Sequence, residues 1–201
     1  MPRSPEPTRS RLLDTALEMF ADRGIAATSL REIRLAAGQA NAGAIHYHFG
    51  DREGVLKALL ERELPALVGR RRQLLERAGS TPDARSVAEA LIAPFAEMAT
   101  GSPHERWVVQ FLSRLNDDLS VSSDDVDSLI GDTGVRQAYE LLRRRLPEVS
   151  DDLLSERLQV GLNSFLHAAA LRARAGGGHV ADPTFRENLI DMFAAALRGP
   201  Q

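Results

Sequence analysis

The chain has 201 residues, 43% hydrophobic and 26% charged, the composition of a soluble globular protein long enough to bury a sizeable core. Its 25 basic and 28 acidic residues leave a net charge of −3, which taken alone argues against a nucleic-acid partner. The lack of cysteine excludes disulfides, thiolate zinc sites, iron–sulfur clusters and cysteine nucleophiles. The polar, proline-punctuated start at Met1 has no apolar signal core, and no run reaches the roughly 18 apolar residues of a membrane span. The expectation is a cytoplasmic protein with no membrane partner.

Apolar residues recur at helical spacing along nearly the whole chain, and alternating strand-like runs are absent. Residues 1–9 read as a flexible arm. Leu13, Leu17, Phe20 and Ala21 then form one stripe, ended by Gly24. Ser29 and Glu32 have the spacing of a capping box and open a short helix with Leu30, Ile33 and Ala37 on its apolar face. Gly38 closes it. Asn41 is suited to cap a third short helix through Ala44, Ile45, His48 and Phe49. After Gly50, Asp51 caps a long helix from Arg52 to about Arg77, with Pro65 as a kink.

Further helices are expected over 83–100, containing Pro94, and over about 104–119, with Trp107, Phe111 and Leu115 four apart. Residues 120–127, acidic and serine-rich, read as a linker. A helix through Val135, Tyr139, Leu142 and Leu146 stops at Pro147. Two longer stripes follow, about 151–175 and 183–198, separated by Gly176–Gly178. The fold class is therefore all-α, about nine helices, arranged as a three-helix head on a larger helical body.

Helices 29–37 and 41–49, joined by a glycine-bearing turn, have the layout of a helix-turn-helix. Asn41, Ala42, Gly43 and Ala44 are small enough to bring the backbone close to base edges in a major groove. The free N–H groups of that turn favour phosphate. His46, Tyr47 and His48 present ring donors at successive angles. Arg31, Arg34 and Arg52 are placed to meet phosphates, and Ser29, Gln39 and Lys57 complete the DNA-binding candidates.

Residues 11–56 resemble the N-terminal DNA-binding domain of the TetR family of transcriptional regulators. The resemblance rests on Leu12-Leu13-Asp14-Thr15-Ala16, Phe20-Ala21, Gly24, Thr28 to Ile33, Ala37-Gly38, His46 to Gly50, Arg52-Glu53 and Leu56. Between Gly38 and Phe49 the chain is about one residue longer than the commonest family spacing, which leaves the start of the recognition helix open by one position.

The resemblance implies a DNA-binding domain over 1–56 and a ligand-binding and dimerisation domain over 57–201. It implies a homodimer on a pseudo-palindromic operator, repressing until a small-molecule effector releases it. The last two helices, with Gly161, Ala168, Ala169 and Ala195 permitting close approach, are the expected dimer interface. Phe95, Met98, Trp107, Phe111 and Phe165 are candidates to line an effector pocket, with Arg114, Asn163 and His167 as polar anchors.

No catalytic residue, metal ligand or cofactor is expected. The carboxylate pairs at 117–118, 124–125 and 151–152 are adjacent residues whose side chains diverge, at helix ends or in the linker. His46 and His48 point about 200° apart on a helix and cannot chelate one ion. The rival reading is a helical ligand-binding or interaction module without operator binding. Residues 1–56 contain seven arginines and seven acidic residues, so the head is neutral and local placement has to supply any attraction to DNA.

Overall fold

In the computed structural model, which describes residues 5–117, 133–178 and 180–199, every regular element is helical. The order is α1 (Pro5–Arg23), α2 (Leu30–Ala36), α3 (Ala44–Phe49), α4 (Arg52–Ala78), α5 (Ala84–Thr100), α6 (Pro103–Asp117), α7 (Val135–Arg145), α8 (Asp151–Ala175) and α9 (Asp182–Arg198). The linker expected at 120–127 lies outside the described residues. The arm expected over 1–9 is helical from Pro5 onward. Prolines fit there because the first N–H groups of a helix have no intrahelical acceptor.

The caps explain several boundaries. Ser29 and Glu32 form the reciprocal capping box at α2, and hydrogen bonds from Ser29 hold the Glu32 carboxyl below its usual range. Asp51 accepts from Gly54 N at 2.9 Å to start α4. Asp83 does the same for α5, accepting from Ser86 N at 2.7 Å. Such caps each contribute about 1 kcal/mol. Pro65 does not interrupt α4, which runs 27 residues through it.

The cores follow from helix patterning. α1 buries Leu12, Leu13, Ala16, Leu17 and Phe20 against Ile33 of α2, Ala44 and Ile45 of α3 and the first half of α4. This cluster continues into the body through Val108, Val109 and Phe111 of α6, so apolar packing crosses residue 56 without a break. Phe20 stacks on Phe111 with centroids 6.2 Å apart. α5 is apolar nearly all round and buries Leu91 to Ala96 in one run, as a helix at the centre of a bundle must. α4, α6, α7, α8 and α9 pack around it.

Polar ties complete the joint between head and body. Arg62 of α4 pairs with Asp14 of α1 at 2.7 Å, while Glu63 meets Arg62 at 2.6 Å and His104 of α6 at 2.9 Å. Gly161 and Ala169 were expected at a dimer interface but are buried within the chain. A Cβ on Gly161 would lie 2.3 Å from the Phe193 ring, so this glycine exists to let α9 approach α8.

The tightest approach is at the start of α4, where a Cβ on Gly54 would lie 1.8 Å from the carbonyl oxygen of Phe49. Backbone cannot yield as a side chain end can. Gly54→Ala is expected to destabilise the protein by about 1–3 kcal/mol, read as a lower melting temperature. An unchanged melting temperature would contradict this close approach.

Candidate functional site

The head is built so that a few side chains stand clear of the fold. Ile33, Ala37, Ala44 and Ile45 are buried and fix α2 and α3 onto α1 and α4. Gly38 has φ +68° in the turn between them, a left-handed conformation that glycine adopts without strain. Arg34 Nη1 donates to the carbonyls of Gln39 and Ala40, the latter at 3.1 Å. Asn41 Oδ1 accepts from Gly43 N at 3.0 Å.

α3 therefore begins at Ala44 rather than at Asn41. The asparagine closes a local turn with its side chain, and Gly43 takes the cap position. His46 Nδ1 lies 2.7 Å from Gly50 O. Only a protonated nitrogen can donate to that carbonyl, so Nδ1 carries the hydrogen and closes the end of α3.

The candidates divide into two groups. Arg31, Asn41, Ala42, Gly43, His46 and Tyr47 are exposed, as is Ser29 within its capping box. Tyr47 is 77% exposed, with His48 set edge-on to it at 5.0 Å. Leu35, missed by the sequence reading, is 55% exposed and lies four residues after Arg31, on the same face of α2. Its signal was its position off the Leu30–Ile33–Ala37 stripe.

Arg34, Gln39, His48, Arg52 and Lys57 are half-buried. Arg52, expected to clamp a phosphate, instead donates through Nη1 to Ile25 O and through Nη2 to Thr28 O at 2.8 Å. It ties the α1–α2 turn to the start of α4. Arg34 likewise serves the turn. Both sets of carbonyls lie in the turns between helices, outside the helical hydrogen-bond ladders.

In the body the structure separates residues that the sequence reading grouped. A cavity of about 150 Å³ is lined by Phe95 and Asn163 together with Leu64, Leu67, Arg71, Leu112, Leu115, Asn116, Thr133, Val135, Leu162 and Leu166. Trp107 is elsewhere, in a polar groove with Glu18, Asp22, Arg23, Arg106 and Arg174. Phe111 is fully buried against Phe20, and Phe165 packs edge-on to Phe193 at 5.4 Å.

His167 and Ser113 approach to 3.5 Å, Met98 packs on the head-side core, and Arg114 is half-buried with an unpartnered Nε. Aromatic spacing placed these residues on inward faces but could not choose between core and cavity. Arg71 was missed because it sits in the run 70–72, which reads as a solvated patch. Its signal was its place on the Leu60–Leu64–Leu67–Leu74 stripe.

Residues 12–59 match the model of the bacterial regulatory proteins of the tetR family. The HTH-type transcriptional repressor KstR2 of Rhodococcus jostii (strain RHA1) is 35% identical over 94 residues, 47% of this chain and 44% of that protein. The chain thus matches less than half the length of this curated relative.

The structure of the ketosteroid transcriptional regulator KstR2 of Mycobacterium tuberculosis superposes with a TM-score of 0.60 at 20% identity, covering 96% of this chain and 95% of that one. AibR in complex with isovaleryl coenzyme A and operator DNA gives 0.61 at 16% identity, covering 92% and 97%. These likenesses show that the chain shares the fold of these regulators, head and helical body together, over nearly its whole length. Among the described residues no group of three or more histidine and acidic side chains could hold a metal ion, and no helix is long and apolar enough to cross a membrane.

The two groups of head residues are distinguishable by stability. Arg52→Ala is expected to cost about 1–3 kcal/mol, since it removes charged donors from part-buried carbonyls. Tyr47→Ala is expected to change stability by less than about 0.5 kcal/mol, as for other exposed sites. Chemical denaturation of both variants checks this. Equal losses would contradict the division.

Proposed function

We propose that this chain is a sequence-specific DNA-binding transcriptional regulator, a cytoplasmic repressor released from a pseudo-palindromic operator by a small-molecule effector. The observation that carries the reading is the exposed face of Arg31, Asn41, Ala42, Gly43, His46 and Tyr47 on a tetR-family head. Residues 1–56 act as the DNA-binding unit and 57–201 as the ligand-binding and dimerisation unit. Small side chains at 41–43 admit the backbone to the groove. Tyr47 and Arg31 supply phosphate and base-edge donors, and His46 offers Nε2 as an acceptor. The repressor name of the curated relative and the operator-bound, coenzyme A ester-bound state of AibR support the same assignment.

A second copy of this chain completes the reader. Leu153, Val160 and Leu171 on α8 and Met192 on α9 are 40%, 58%, 50% and 53% exposed. They form an apolar surface on the two last helices, where a homodimer would cover it. Two heads then meet grooves about 34–36 Å apart. Dimerisation matters here because a neutral head neutralises few phosphates.

A gel-shift with the DNA upstream of its own gene tests the proposal. Binding is expected to be sequence-selective and weakened by salt, and Tyr47→Ala is expected to lower affinity at least about tenfold. Val160→Glu is expected to yield monomers by light scattering and to lose the operator. Absence of selective binding across candidate operators would overturn the reading.

A further inference from the structure

Among the described residues, the body cavity contains a cation without a counter-charge. Arg71 is 3% exposed. Its Nη1 donates to Thr133 O at 2.9 Å, while Nη2 reaches Leu91 O only at 3.4 Å. The guanidinium lies over the Phe95 ring, 5.0 Å from its centroid. Nε is buried with no hydrogen-bond partner. Among the described residues no carboxylate forms an ion pair with Arg71, whereas neighbouring Arg70 is held by both oxygens of Glu97 at 2.9 and 2.8 Å. Burial pulls the Arg71 pKa down to about 10, so the side chain remains cationic at neutral pH.

An isolated buried charge is among the most costly groups a fold can keep, and it becomes favourable only when an anion joins it. The surroundings specify that anion. Leu64, Leu67, Leu112, Leu115, Leu162 and Leu166 line the same cavity, and among the described residues Arg71 is the one charged member of its lining. The free Nε and the weakly engaged Nη2 lie on one edge of the guanidinium, the fork that receives two carboxylate oxygens. A volume of about 150 Å³ is on the scale that holds a benzene-sized apolar molecule.

We propose that the effector is an apolar monocarboxylate, its carboxylate paired with Arg71 and its hydrocarbon among these leucines. The inference rests on the ligand-released reading above and narrows it to a chemical class. One cation and this volume suit a free acid; a nucleotide thioester carries several phosphates, more than the single guanidinium among the described lining residues would neutralise.

Calorimetric titration of the full-length protein tests it, with hexanoate, octanoate, benzoate and phenylacetate, each compared with its primary amide, and with octanoyl coenzyme A. At least one acid is expected to bind tenfold or more tightly than its amide and to release operator DNA. Arg71→Met is expected to remain folded and dimeric yet lose the preference for acid over amide, and Arg71→Lys to retain part of it.

The inference is overturned if none of these acids binds, if amides match acids, if the preference survives in Arg71→Met, or if only the thioester binds. Should Arg71→Met fail to fold, the acid-to-amide ratio in the parent and in Arg71→Lys still decides. Operator binding without an acid response defeats this inference alone. Loss of selective operator binding by the parent defeats the repressor reading itself.

Discussion

Everything in the molecule is referred to one rigid element, the helix that leaves the head and crosses the body. α4 contains 27 residues, about 40 Å of continuous helix. Its first residue, Arg52, grips the α1–α2 turn through two carbonyls. Asp51 caps it and Gly54 lets it press on the backbone of Phe49. Nineteen residues on, the same helix places Arg71 in the body cavity. The head is thus clamped to one end of a strut whose other half lines the cavity, and a shift of α4 in the body must move the head with it.

That arrangement explains how much could be read from the chain. Helix spacing, the Ser29–Glu32 box and the aspartate before α4 are local signals, and each appears where the pattern put it. The start of α3 was misplaced because Asn41 has two local uses, capping a helix or closing a turn, and the spacing of apolar residues does not choose between them. Arg52 and Arg34 were read as phosphate contacts because both lie near the helix-turn-helix. Within the chain their guanidinium groups hold backbone carbonyls, and for Arg52 these lie 24 and 27 residues earlier. Face is legible from periodicity; partners distant in sequence are not.

The same distinction governs the charges. Several of the body's arginines are matched across helices: Arg85 meets Glu187 and Asp191 at 2.6 and 2.8 Å, and Arg186 bridges Glu89 of α5 to Glu187 of its own helix. Such part-exposed pairs contribute little energy individually but fix the register of α9 on α5. Against that background two departures stand out. The head's exposed Arg31 and Tyr47 face solvent, and the buried Arg71 faces none. A net charge of −3 obscures both, since it records no local placement.

The strut is open to direct measurement because the sequence contains no cysteine. Spin labels at Ala36→Cys on α2 and Arg77→Cys near the end of α4, diluted with unlabelled chain, report the distance between head and body within one subunit. A head clamped by Arg52 gives a single narrow distance distribution, which broadens when Arg52→Ala is added. A broad distribution in the parent, or one that Arg52→Ala leaves narrow, would contradict the account.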